Sequence, residues 1–426
     1  MNRKTKRSSP FRILVLLVLV GAAIYFNEKI VPSIPSPFVP TPVPTRSPES
    51  YVLEAQTFES QGKYASAIQS YTSAIGVDPR NPSNYIALAR VLIYTSKYEE
   101  AITNAENALL ISENNAQAYA YRGWAMGLSG DFLNATASLD KAIQADPNNA
   151  AAYAYLAEVL ILQKQAGQDT LTTLDSAIEA SRKAETLAKD SMEAHRARGL
   201  VLEETGNTEE AITEFQAAIA ANPNIADLHI FLGRSYRAVG DSPKAVEEFN
   251  LAVPLDPTNP LPKLYISRTY AQIGEFVRAV QYGQQALNDD PTDPFLYGNL
   301  GAMLYKNKQY DEAVQMLKMA VQGGTTEDGK VVEGLPLDYG RVAEFYYTYG
   351  LALAKVGTCG DALQISQALQ KAVRNDEVAV FNAQEIVNIC QQISDSGPDL
   401  TPTATLEGGE TETPTEIPTE TATPVP

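Results

Sequence analysis

The sequence predicts an all-α solenoid of about nine helix-turn-helix units closed by a C-terminal capping helix, on two observations. Alanines 67, 101, 135, 177, 211, 245, 279, 313 and 362 recur in similar surroundings at steps of 34, 34, 42, 34, 34, 34, 34 and 49 residues. A fixed period this long marks a stacked array of supersecondary units. Within a unit the apolar spacing is helical: in "GNTEEAITEFQAAIAANP", residues 206–223, Ala211, Phe215 and Ala218 fall at i, i+4 and i+7 on one stripe. Gly206 permits the tight turn before that helix, and Pro223 forbids its continuation. Each helix pair leaves an apolar face that only a neighbouring pair can cover, so stacking is obligatory.

The first segment, residues 1–12, is basic: Arg3, Lys4, Lys6, Arg7 and Arg12 precede "ILVLLVLVGAAIYF", Ile13 to Phe26. A basic cluster before an apolar run is the order of export signals and signal anchors. Fourteen apolar residues span only ~21 Å at ~1.5 Å each, short of a ~30 Å hydrocarbon core, which favours a cleaved signal and a secreted product. The next stretch argues for an anchor. Residues 32–47, within "VPSIPSPFVPTPVPTRSP", form a stiff polyproline spacer that holds a domain away from a membrane and would be superfluous on a secreted one. Arg12 and Lys29 can snorkel at either end. The predicted order is therefore a cytoplasmic basic terminus, a single membrane span over 13–31, the linker, the repeats over 48–395 outside the cytoplasm, and a tail from 396 to 426. The tail is threonine, proline and glutamate with almost no large apolar side chain, and cannot bury enough to fold.

The unit over residues 226–259 carries Leu232 and Gly233 three and four residues after His229, then Tyr236, Ala245, Phe249, Ala252 and Pro257. It resembles the tetratricopeptide repeat, W-x2-L-G-x2-Y followed by A-x3-F and P, with His229 in place of the tryptophan. "YIALARVL", "YAYRGWAM" and "YGNLGAML" open further units of the same kind, and the resemblance spans about residues 48–376. It implies a right-handed superhelix whose first helices line a concave groove for peptides or partner proteins.

Two units depart from the period. Eight extra residues around "QKQAGQDTLTTLD" predict a longer helix or an added loop, and "GGTTEDGKVVEGLPLD", residues 323–338, predicts a projecting surface loop. The latter lacks the spacing of a phosphate cradle. Cys359 and Cys390 stand 16 and 15 residues from a helix reversal near Asn375, level on antiparallel helices. A disulfide clamping the last helix is expected there, against the alternative of two unrelated cysteines; zinc lacks further ligands.

Chemistry is sparse. The two histidines, His195 and His229, hold the aromatic slot of adjacent units, ~8–10 Å apart on stacked helices, too far to share a metal. No base remains for a Ser-His-Asp or Cys-His nucleophile. The reading is a non-enzyme without cofactor or small-molecule substrate. Lys plus Arg number 33 against 51 Asp plus Glu, and a net charge of −18 repels nucleic acid. Groove-facing candidates follow the small residue of each first helix: Arg90, Trp124, Arg234 and Arg268, with Arg196, Arg237, Tyr305 and Tyr347 on the same stripes. Arginine and aromatic residues are enriched in binding hot spots, and an arginine row suits an acidic protein or peptide partner. The alternatives are arginines paired with neighbours such as Glu203 on a plain envelope spacer, and an enzyme with a site in the inserted loops. Of the carboxylate-clamping residues of chaperone-binding relatives, Arg196 fits in part and Leu200 one turn on does not, so chaperone docking is not implied.

Overall fold

The computed structural model describes residues 9–30 and 46–396. The basic residues at 1–8, most of the proline-rich linker and the acidic tail lie outside the described residues.

The first compact unit ends at Pro147. It begins with α1 (Pro10–Tyr25), which runs on through a π-helical turn, Phe26–Ile30. The helical run from Pro10 to Lys29 is 20 residues, none of it buried. At ~1.5 Å per residue that is ~30 Å, so it is long and apolar enough to cross a membrane. The helix exceeds the 14-residue apolar run because Pro10 starts it early and Asn27 to Lys29 continue it. Three helix pairs follow: α2 (Pro48–Ser60) with α3 (Tyr64–Val77), α4 (Pro82–Tyr94) with α5 (Tyr98–Ile111), and α6 (Ala116–Leu128) with α7 (Phe132–Ala145).

The second unit starts at Asn148. Its six pairs are α8 (Ala150–Gln165) with α9 (Thr173–Leu187), α10 (Met192–Glu204) with α11 (Thr208–Ala221), α12 (Ala226–Ala238) with α13 (Ser242–Leu255), α14 (Leu261–Gln272) with α15 (Phe276–Asp289), α16 (Pro294–Lys306) with α17 (Tyr310–Gln322), and α18 (Arg341–Lys355) with α19 (Cys359–Ala372). Helix α20 (Glu377–Ser396) packs on both α18 and α19. The described residues thus form nine helix pairs and a closing helix.

The periodic alanines show why the pairs are alike. All nine are at most 1 % exposed and sit where a second helix crosses its first. The same logic governs the small residue of the first helix. A Cβ on Gly233 would stand 2.6 Å from Phe249 Cε1, and one on Gly199 2.5 Å from Phe215 Cε1. Each pair turns on a residue with positive φ, in the second unit Gly206, Gly240 and Gly274. Ser96 and Lys308 occupy that position at φ 58° and 65°, a conformation that costs a side-chain-bearing residue free energy.

Both insertions differ from the simplest expectation. The longer fourth unit combines the two options, a 16-residue α8 and a loop before α9. Residues 323–338 do not project freely: Gly323–Thr325 (β1) pairs antiparallel with Val331–Glu333 (β2), Val332 is 2 % exposed, and the Tyr346 hydroxyl donates to the Leu335 carbonyl at 2.7 Å. The hairpin is anchored on α17 and α18 because the inserted valine and the following leucines have apolar surface to cover. Cys359 and Cys390 are joined in a disulfide, Cα–Cα 5.6 Å, tying α19 to α20.

Candidate functional site

In the second unit successive first helices pack on one another, α8 on α10, α10 on α12, and so on to α18, which makes their shared side the inner face of the stack. The residue following the small one in each first helix points there. The groove candidates fall on it with unequal access.

Two of them are corrected by burial. Trp124 is 0 % exposed and meets Tyr94 edge-on at 6.0 Å; with Tyr64 it completes an aromatic series that fills the inner side of the first unit. Its size is the reason, since a large ring at this position reaches the preceding first helix. Arg196 is 1 % exposed and bound in two-pronged fashion by Glu158, at 3.0 Å from Nε and 2.6 Å from Nη2, with Asp227 3.4 Å away. Its position one turn earlier in its helix than that of Arg234 places it between stacked helices, where only a paired guanidinium is tolerated. Both are packing residues.

Two others are reachable but paired. Arg90 bridges to Glu59 at 2.8 Å, and burial, outweighed by Tyr121 and Glu59, leaves its pKa raised. Arg234 bridges to Glu203 at 3.1 Å, whose carboxyl is pushed up by burial against the pull of Arg234.

Arg237 and Arg268 are different. Their guanidinium carbons lie 5.5 Å and 5.9 Å from the centroid of one ring, Tyr265, which stacks in turn on Phe249 at 5.4 Å. Arg268 donates to Asn299 Oδ1 at 3.1 Å, and Asn299 is fixed by its own bond to Ser267 Oγ at 3.2 Å. Among the described residues neither arginine has a carboxylate at ion-pair distance. Burial first, then the charges of Arg341 and Arg237, hold Arg268 down to about 10. Burial, then Arg234 and Arg341, also lowers Arg237. Both remain charged at neutral pH, and both are placed where positive charge is in excess. Glu344 acts on Arg268 through its charge, and so does Asp293, whose carboxyl is raised by burial and caps α16 through Phe295 N.

The two tyrosine candidates lie on later first helices, α16 and α18. Tyr305 is half-buried against Tyr310 at 5.5 Å. Tyr347, on α18 beyond Arg341, has its phenol pushed up to about 12 by burial and Glu344.

Tyr265, Asn299 and Arg341 were not among the candidates. For Tyr265 a signal existed: Phe231-x2-Arg234 and Tyr265-x2-Arg268 repeat the same aromatic-to-arginine spacing 34 residues apart. For Asn299 none did, because an asparagine in a first helix is silent until the neighbouring arginine is placed. The two histidines lie away from the inner face. His195 Nδ1 and His229 Nδ1 each meet a second-helix glutamate at 2.7 Å, Glu214 and Glu248, and His229 Nε2 lies 3.0 Å from the Pro223 carbonyl. The glutamate contacts staple each pair, while the Tyr85 and Tyr297 hydroxyls, in the place of His229 Nε2, donate to the carbonyls of the prolines that precede their helices, Pro79 and Pro291.

A stack of helix pairs with a buried alanine at each crossing and an arginine-bearing inner face defines a class, the helical-hairpin repeat scaffold. Tetratricopeptide repeat family models match residues 171–224, 196–260 and 282–315. A model described as anaphase-promoting complex, cyclosome, subunit 3 matches residues 21–108. Residues 171–260 and 282–315 of the chain are thus tetratricopeptide repeats. No curated protein matches it. Among solved structures it is similar to a thermophilic tetratricopeptide repeat protein of Thermus thermophilus, at 18 % identity and TM-score 0.39, over 45 % of this chain and 100 % of that one. It is also similar to MamA protein, at 22 % identity and TM-score 0.29, over 42 % and 94 % respectively.

Proposed function

We propose that this protein is a non-catalytic scaffold on the outer side of a membrane, tethered by its N-terminal helix, that holds an acidic segment of another protein on the inner face of its second unit. The observation that carries the reading is the pair Arg237 and Arg268: two guanidinium groups on one tyrosine ring, without carboxylate partners among the described residues. In a protein of net charge −18, surface arginines are normally neutralised by nearby glutamates, as Arg90 and Arg234 are. A pair kept positive is suited to charge-assisted bonds with an incoming carboxylate. Tyr305 and Tyr347, on the later first helices α16 and α18, add amphipathic contact area for a longer segment. Support for the location comes from the 20-residue apolar helix and from the basic residues that precede it in the sequence, which retain that end in the cytoplasm. The repeats of the second unit act by presenting a preformed surface to that segment.

The test is affinity capture from detergent-solubilised envelopes by the full chain and by its Arg237→Glu, Arg268→Glu variant. The scaffold reading expects a partner with an acidic segment captured by the first and lost with the second. Identical capture by both would leave these arginines as ordinary surface and favour an envelope spacer.

A further inference from the structure

The excess positive charge around Tyr265 has a candidate ligand within the same sequence. Arg234, Arg237, Arg268 and Arg341 stand against Glu203, Glu344 and Asp293, and the two arginines on the tyrosine ring have no carboxylate at ion-pair distance among the described residues. Residues 397–426 contain six acids, Asp399, Glu407, Glu410, Glu412, Glu416 and Glu420, and no lysine or arginine. The protein as a whole carries a net charge of −18, which disfavours a negatively charged segment elsewhere on average, while the arginines here attract it. Attachment favours the same pairing. The segment leaves α20, which packs on α18, and α18 begins with Arg341, whose charge acts on both Arg237 and Arg268. Helix α20 is 20 residues, ~30 Å long, while thirty extended residues reach up to ~100 Å, so the glutamates can return along it with length to spare.

We propose that the chain's own acidic C-terminal segment, residues 397–426, occupies the Arg237–Arg268 surface in the free protein, so that an acidic partner binds by displacing it. This rests on the proposed function for its consequence, though not for its contact. Tethering supplies an effective concentration in the millimolar range for short flexible connections, so individually weak glutamate–arginine contacts suffice. The contact is electrostatic and yields to salt. Its effect is a threshold: a partner with few acids fails to displace the tail, while one with a denser acidic run succeeds.

The experiment uses the full chain with its disulfide intact, carrying a donor and acceptor dye on Thr415→Cys and Ala238→Cys. At low salt and nanomolar concentration the proposal expects strong energy transfer. That transfer is lost in Arg237→Gln, Arg268→Gln, lost when Glu407, Glu410, Glu412, Glu416 and Glu420 are changed to Gln, and lost at about 0.5 M salt. Transfer unaffected by all three changes overturns it, as does transfer seen only between singly labelled chains on mixing. Hexaglutamate binding, measured separately, judges the groove itself. The proposal expects the tail-neutral variant to bind this probe roughly tenfold tighter than the unmodified chain. Equal affinity of the two, with binding still lost on changing the arginines, overturns the tail contact and leaves the groove reading standing. Arginine-dependent transfer without hexaglutamate binding does the reverse.

Discussion

Replacing Gly233 by alanine tests how the repeat pattern generates the fold. The added Cβ would lie 2.6, 2.8 and 3.0 Å from Cε1, Cδ1 and Cζ of Phe249, closer than carbon atoms approach. Phe249 is 0 % exposed and cannot swing into solvent. Its other face stacks on Tyr265, so its retreat would push the ring that carries Arg237 and Arg268. Forcing one methyl into such a contact costs about 1–3 kcal/mol. Phe249→Leu alone removes ring volume and costs about 1 kcal/mol, and it removes the atoms that the new methyl would strike. The two changes are therefore expected to be strongly non-additive, with the double variant more stable than the sum of the singles by about 1 kcal/mol or more. Urea denaturation followed by circular dichroism, at unchanged slope, measures all three. A Gly233→Ala variant within about 0.3 kcal/mol of the unmodified protein, or strict additivity of the pair, would refute the reasoning.

Other outcomes follow from the same structure. The Cys359–Cys390 bridge closes a separation of 31 residues, which the chain-entropy model values at roughly 4 kcal/mol; Cys359→Ser, Cys390→Ser should lower the melting temperature and expose α20 amides to rapid hydrogen exchange, and unchanged protection there would contradict it. Lys308, exposed at φ 65° where equivalent turns have glycine, should gain about 1 kcal/mol as Lys308→Gly, read as a raised denaturation midpoint; a loss would show that its side chain stabilises the turn. Burial alone would lower the His229 pKa, but Glu248 and the Pro223 carbonyl raise it overall. A raised folded pKa gives stability that is present in full below about 6.5 and is lost as pH rises through the folded value. A pH series should therefore show a decline on that limb that His229→Gln lacks.

The all-helical array was legible because a buried alanine and a facing glycine or alanine leave their spacing in the sequence at every unit, whatever the surface does. Helix reversals were legible for the same reason, since positive φ selects glycine at most of them. The inner face was harder. Position in the repeat identified Arg234 and Arg268 together with Trp124, although side-chain size and neighbours decide access. Arg196 and Arg237 are both inner-stripe arginines, and only the placement of Glu158 and Asp227 separates a buried staple from an available charge. Those partners stand 38 and 31 residues away, on the adjacent first helices; the 31-residue spacing recurs in Arg90–Glu59, Arg234–Glu203 and Arg268–Asn299, but it marks a neighbour on the next first helix and does not say which arginine is buried. The β-hairpin at residues 323–333 was missed because three-residue strands carry almost no periodicity.

The central claim is that Arg237 and Arg268 are kept positive for an acidic ligand. Equilibrium binding of hexaglutamate to the full chain tests it most directly, with Arg237→Gln, Arg268→Gln and, as a control on an exposed second-helix position, Arg278→Gln. A charge-assisted hydrogen bond contributes about 1.5–3 kcal/mol, so each groove variant should weaken binding at least roughly tenfold. The Arg278 variant should match the unmodified protein, and affinity should fall with salt. Equal weakening by all three variants, or binding that ignores the two groove arginines, would contradict the account.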